Sequence, residues 1–139
     1  MPIMLREAQR VVDWVTARGE AEGLRIGVAV VNDRAGTVCM SSMDGTRPFT
    51  VDTARGKAMA TALWGMPGST LAGRESNSVF QLVGRLYGDR IVYAQGSALL
   101  KHGDETVGAV GVSGATPEKD EEFAQAAAAA FAEGMPPAD

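Results

Sequence analysis

The chain has 139 residues, 45% hydrophobic and 22% charged, which fits one globular domain able to bury its own core. A net charge of −4 with no basic stripe excludes a general nucleic-acid binder. The apolar runs fall short of the ~20 residues that span a bilayer, the first residues lack a secretory apolar core, and the single Cys39 rules out an internal disulfide, so the expected address is cytoplasmic, with no membrane partner.

Leu5, Ala8, Val12 and Val15 recur on one helical face, and Gly19 and Gly23 close that first helix. Arg25 to Asn32 reads as a strand apolar on both faces, suited to a central position. A turn at residues 32–36 leads into a second strand from Thr37 to Ser41, where Cys39 is expected in the core. A helix from about Val51 to Leu63 follows, capped by Thr50 or Asp52, and Gly65, Pro67 and Gly68 break it. Ser69 to Leu82 reads as a further helix.

Three short strands are expected near Arg90–Ala94, Ser97–Lys101 and Glu105–Ser113, with a tight turn at residues 102–104 between the last two. Thr116, Pro117 and Glu118 are a helix-start signal for a last, alanine-rich helix running to about Ala132. One domain over residues 1–133 and a frayed tail over 134–139 complete the layout. Gly108, Gly111 and Gly114 let a packed helix, a second subunit or a ligand approach the last strand closely.

Asp52, Arg55 and Lys57 crowd one helix start. Arg55 and Lys57 are candidates to hold a carboxylate or phosphate, with Asp52 as cap, orienting group or base. The plain alternative is a cap with solvated charges, because Asp52 and Arg55 are spaced to pair with each other. Ser113 and Gly114 lead into a helix N-terminus and form a second candidate anion site. Met40, Met43, Met59 and Met66 either line a pocket or fill the core. One histidine, His102, and no CxxC exclude a histidine or cysteine metal cluster.

Three blocks resemble the GlcG/HbpS-like family of haem-binding or haem-degrading proteins. They are the stretch Val28 to Asp33 with Gly36 and the loop Met43-Asp44-Gly45; Asp52 to Ala58 with Thr61-Ala62; and Gly108 to Gly114 with Asp120. The resemblance implies a profilin-like three-layer α/β/α fold, of α+β type, with a five-stranded antiparallel sheet. It also implies haem or a related tetrapyrrole as ligand, and a homo-oligomer; His102 is the first axial candidate because it is the one histidine of the chain. The resemblance strengthens Asp52 and Lys57 as catalytic or binding groups in a solvent-open pocket that Met43 approaches. Two other classes stay open: an isomerase-like or tautomerase-like enzyme using Asp52 and Lys57 on an anionic carbonyl compound, and a non-catalytic accessory oligomer. The small residues of the second and last helices are the expected oligomer contacts.

Overall fold

The computed structural model describes residues 1–135. Helix α1 (Leu5–Ala21) is followed by β1 (Gly27–Asn32) and β2 (Thr37–Ser42), then α2 (Thr50–Trp64). Two short helices, α3 (Gly68–Leu71) and α4 (Ser78–Leu86), lead to the hairpin β3 (Ser97–His102) and β4 (Glu105–Ser113), and α5 (Pro117–Ala132) closes the chain. The strands form one antiparallel sheet in the order β2-β1-β4-β3.

Alternation along the strands sends two side-chain sets to opposite faces. Val28, Val30, Val110 and Val112 meet α1 and α5 through Val11, Val15, Phe123 and Ala127 in one core. Val31 and Ala109 face the other way, into a second core with Ala58, Met59, Leu71 and Phe80. Central strand β1 is therefore apolar on both faces, as expected from its sequence.

Helix α2 lies so close to the sheet because the strands carry glycine at two points directly beneath it, Gly27 and Gly111. A Cβ on Gly111 would sit 2.0 Å from the Ala54 carbonyl oxygen, and one on Gly27 would lie 2.9 Å from Val51 Cα. The approach that Gly111 permits is thus to a helix of the same chain. Ala54, Gly56, Ala58 and Ala60 are buried within this chain, so these small residues of α2 serve intrachain packing, while Ala62 is half-buried.

Among the described residues the sheet has four strands, not five. The segment expected as a strand at 90–94 runs instead across α2, where the Val92 N–H donates to the Gly56 carbonyl at 3.1 Å. Tyr93 anchors it: its hydroxyl donates to the Phe80 carbonyl and accepts from the Trp64 indole N–H. The segment's apolar residues are satisfied by helix packing, so nothing requires a ladder partner. The expected helix at 69–82 is broken, because Gly73 takes φ +84° and Asn77 starts a new helix by accepting from Val79 and Phe80 N–H. Neither Thr50 nor Asp52 caps α2, whose N-cap is Phe49. Cys39 is half-buried; burial chiefly, with the Asp13 charge, holds its thiol above the usual range. Of the expected frayed tail, Met135 is buried and bonded through its N–H to the Ala130 carbonyl; residues 136–139 lie outside the described residues.

Candidate functional site

The charged helix start divides into two environments. Residues 52 and 57 are about 140° apart around a helix of 3.6 residues per turn, so they face different ways. Asp52 points to solvent, its carboxylate 3.6 Å from the Arg55 guanidinium. Lys57 is 4% exposed. Its ammonium donates to the Val112 carbonyl at 3.0 Å and to Asp120 Oδ2 at 3.2 Å. The structure does not bring Asp52 and Lys57 together, and Lys57 does not face an open pocket as expected; its anionic partner is the chain's own carboxylate.

That carboxylate also fills the second candidate anion site. Asp120 Oδ1 accepts the Ala115 N–H at 3.0 Å, where the chain passes from Ser113 and Gly114 into α5. Gly114 takes φ +115°, and a Cβ there would meet the Arg25 carbonyl at 2.6 Å, so its role is backbone packing. Glu121 beside it accepts from Gly96 N–H at 2.7 Å and Ser97 N–H at 3.3 Å. A Cβ on Gly96 would press on the Lys57 ammonium at 2.8 Å. Burial raises the Asp120 pKa; the Lys57 charge and the Ala115 hydrogen bond oppose the shift without cancelling it. This polar knot joins α2, β3, β4 and α5.

Asp120 carries a legible signal of its own in the sequence. It shares a helical face with the buried Phe123, Ala124, Ala127 and Phe131, at spacings of three, four, seven and eleven. A carboxylate on an apolar stripe requires a buried partner.

The other end of the β3–β4 hairpin carries His102, which is the last residue of β3 where its sequence suggests the start of the turn. Its side chain is 51% exposed, and Nε2 lies 2.7 Å from Glu7 Oε2. Glu7 Oε1 accepts the Met4 N–H at the start of α1, so one carboxylate ties helix start to hairpin tip. The Phe131 ring lies 4.8 Å from the imidazole, centroid to centroid. These residues, with Arg10 and Gly134, line a pocket of about 80 Å³. Through Glu7 it adjoins a shallow depression of about 600 Å³ lined by Met4, Leu5, Arg6, Glu7 and Gln9. Met4 and Leu5 are 63% and 54% exposed there.

The methionines line no common pocket. Met43 packs against the core under α1, while Met59 and Met66 belong to the α2 side. Among the described residues, no cluster of three metal-ligating side chains occurs, and no helix is long and apolar enough to cross a membrane.

A family model described as haem degrading protein HbpS-like matches residues 3–129. The chain belongs to the HbpS-like family. Its backbone is similar to a double mutant of HbpS from Streptomyces reticuli, with TM-score 0.80 and 26% identity over 94% of this chain and 88% of that one. It is equally similar to the protein ORFY of Klebsiella pneumoniae, with TM-score 0.81 and 25% identity over 93% and 90%. A PduOC:haem complex shares the fold at TM-score 0.79 and 19% identity, over 94% of this chain and 95% of that one. Comparison with curated proteins gives no match.

For a haem group, this HbpS-like chain has one fitting surface and one misfit. The 80 Å³ pocket is far below the ~300 Å³ at which enclosed small-molecule sites begin, so a tetrapyrrole enters it only by an edge. The surface fits better: an accessible imidazole, exposed Met4 and Leu5 as apolar support, and Arg6 close by for an acidic substituent.

Proposed function

We propose that this HbpS-like chain binds haem, or a related tetrapyrrole, on the outer surface where α1 meets the tip of the β3–β4 hairpin. Membership of a family described as haem-degrading supports the ligand class. The observation that carries the site is the Glu7–His102 pair. A histidine that ligates a metal usually hands its other ring nitrogen to a carboxylate, which fixes the ring and raises its basicity. Glu7 holds one nitrogen of an imidazole that is half in solvent, and the other remains for an axial bond. Haem bound there, held by His102, would supply an iron centre for redox or oxygen chemistry. The chain's own part is to orient His102, offer Met4 and Leu5 to the macrocycle, and set Arg6 near an acidic edge.

Haem titration of the ligand-free protein tests this. Wild type should develop a Soret band, and His102→Ala should weaken binding by about tenfold or more and shift the band, since loss of one coordinate bond exceeds the 1.4 kcal/mol of that factor. An unchanged spectrum and affinity in the variant would remove His102 from the site.

We further propose that the protein assembles as a symmetric homo-oligomer through α4. Val79, Leu82 and Leu86 form one stripe on that helix and are 55%, 56% and 81% exposed. Glu75 precedes the helix and Arg85 lies in its last turn, so two antiparallel copies would set opposite charges beside a shared apolar seam. Light scattering should give a multiple of 14.5 kDa, and Leu86→Glu should reduce it. A wild-type mass of one chain at micromolar concentration would end this proposal.

A further inference from the structure

On the α2 side of the sheet, away from His102, a second pocket of about 260 Å³ opens between the start of α2 and the segment that crosses it. Gly56 creates it. A Cβ there would lie 2.4 Å from the Arg90 carbonyl oxygen, so only glycine lets residues 90–92 lie against the helix. That crossing places Asp89 and Arg90 opposite Asp52 and Arg55, with Phe49 and Val92 as apolar walls.

The guanidinium of Arg55 is incompletely used. Its Nε is shielded from solvent and has no hydrogen-bond partner. A terminal nitrogen makes only the 3.6 Å contact with the exposed Asp52. An unmade hydrogen bond on a buried donor costs ~1–3 kcal/mol, and more when the group is charged. The two terminal nitrogens, on the edge of the guanidinium away from this shielded Nε, match the two oxygens of a carboxylate. Across the pocket, Arg90 is fixed by donating from its own Nε to the Tyr87 carbonyl at 2.8 Å. Asp89 is held at φ +60° with its N–H on the Gly84 carbonyl.

Two arginines and two aspartates leave the lining with no net charge. A phosphate or other dianion gains little from such a field. A small molecule carrying both signs gains from each. We propose that this pocket binds a small zwitterion of the α-amino-acid type. Its carboxylate sits on the Arg55 fork beside Arg90, its ammonium on Asp89, and an apolar side chain between Phe49 and Val92. The volume just under the usual range for drug-sized ligands suits a molecule of this size. The proposal stands apart from haem binding, because no residue is shared between the two sites.

The Arg55 Nε–H cross-peak of ¹⁵N-labelled protein reports on the site directly. L-leucine, 4-methylpentanoate, which lacks the ammonium, and inorganic phosphate are each titrated to about 10 mM, a range that captures millimolar dissociation constants. L-leucine should move the peak, 4-methylpentanoate should bind about tenfold more weakly or worse, and phosphate should leave it in place. Asp89→Asn should reduce L-leucine to the affinity of 4-methylpentanoate, and Arg55→Gln, which lacks this reporter and is followed instead through the backbone amide peaks of Thr53 and Val92 in its folded spectrum, should show no shift with L-leucine. No shift with L-leucine, equal affinity for the two organic acids, binding of phosphate as strong as of L-leucine, or unchanged affinity in Asp89→Asn would each overturn the proposal. Because the titration uses haem-free protein, its failure is independent of the Soret measurement.

Discussion

The β3–β4 hairpin has an acid–base pair at each end, and the two pairs have opposite fates. At the open end, Lys57 and Asp120 are 5% and 4% exposed and bond only to the chain itself. At the tip, His102 and Glu7 are 51% and 28% exposed, and the imidazole keeps an open side. Burial decides which pair does what. A buried pair must satisfy every donor internally, so it is locked into the fold. An accessible pair contributes little to stability and stays available for a ligand.

Breaking the buried pair should have the largest effect. Lys57→Ala leaves the Asp120 carboxylate buried without its cation, and removing one partner of such a pair costs about 3–5 kcal/mol. Urea unfolding should show that loss, while the double replacement Lys57→Met with Asp120→Leu should recover much of it. If Lys57→Ala is as stable as wild type, the ion pair does not hold these layers together.

Next in size is the backbone contact that places Lys57. Gly111→Ala would drive a methyl into the Ala54 carbonyl, and overpacking of this kind costs about 1–3 kcal/mol. A smaller loss in thermal unfolding would mean that α2 shifts easily off the sheet.

The pH response sharpens the contrast. Burial raises the folded pKa of Asp120 above the ordinary 3.8. On raising the pH, the unfolded chain loses this proton first, so the folded state binds more protons through the window above 3.8. The Asp120 contribution is therefore full below 3.8 and declines as pH rises through the folded pKa, then levels off. Urea midpoints of wild type and Asp120→Asn, compared from about pH 3 to 6, should differ in slope with that sign. A wild-type excess slope of the opposite sign would refute it.

The smallest effect on stability is expected at the tip. Glu7→Gln should change stability by about 1 kcal/mol or less in urea unfolding, as for other exposed pairs. A loss of about 3 kcal/mol or more, the size expected of a buried pair, would mean that the tip pair too is locked into the fold.

Much of the fold was legible because its signals are local. The period of α1, the doubly apolar β1, the β3–β4 hairpin and the Thr116-Pro117 helix start all appear as read. The strand expected at 90–94 failed because β-type residues such as Val92 and Tyr93 also pack well on a helix, and the partner that took them, Gly56, lies far away in sequence. The environment of Lys57 was hidden for a related reason. Helix α2 has small residues on every side, so no apolar face told which of its charges would be buried. The pairing of His102 with Glu7 joins residues 95 positions apart, and spacing alone carries no trace of it. Arg90 gave no signal either, since its place in the second pocket depends on the crossing of α2.

The sheet order has a consequence for how the chain folds. Central strand β1 pairs on one side with β2, which follows at once, and on the other with β4, so that Val28 waits for Val112. More than half the chain must be made before the central pair can close. Proteins dominated by such distant contacts fold in milliseconds to seconds, slower than helical bundles of equal length. Until β4 arrives, the β1–β2 hairpin exposes a Val-rich edge of unpaired N–H and C=O groups, the kind of surface that invites pairing with another chain. During synthesis, the most aggregation-prone moment should therefore fall before residue 113 has emerged.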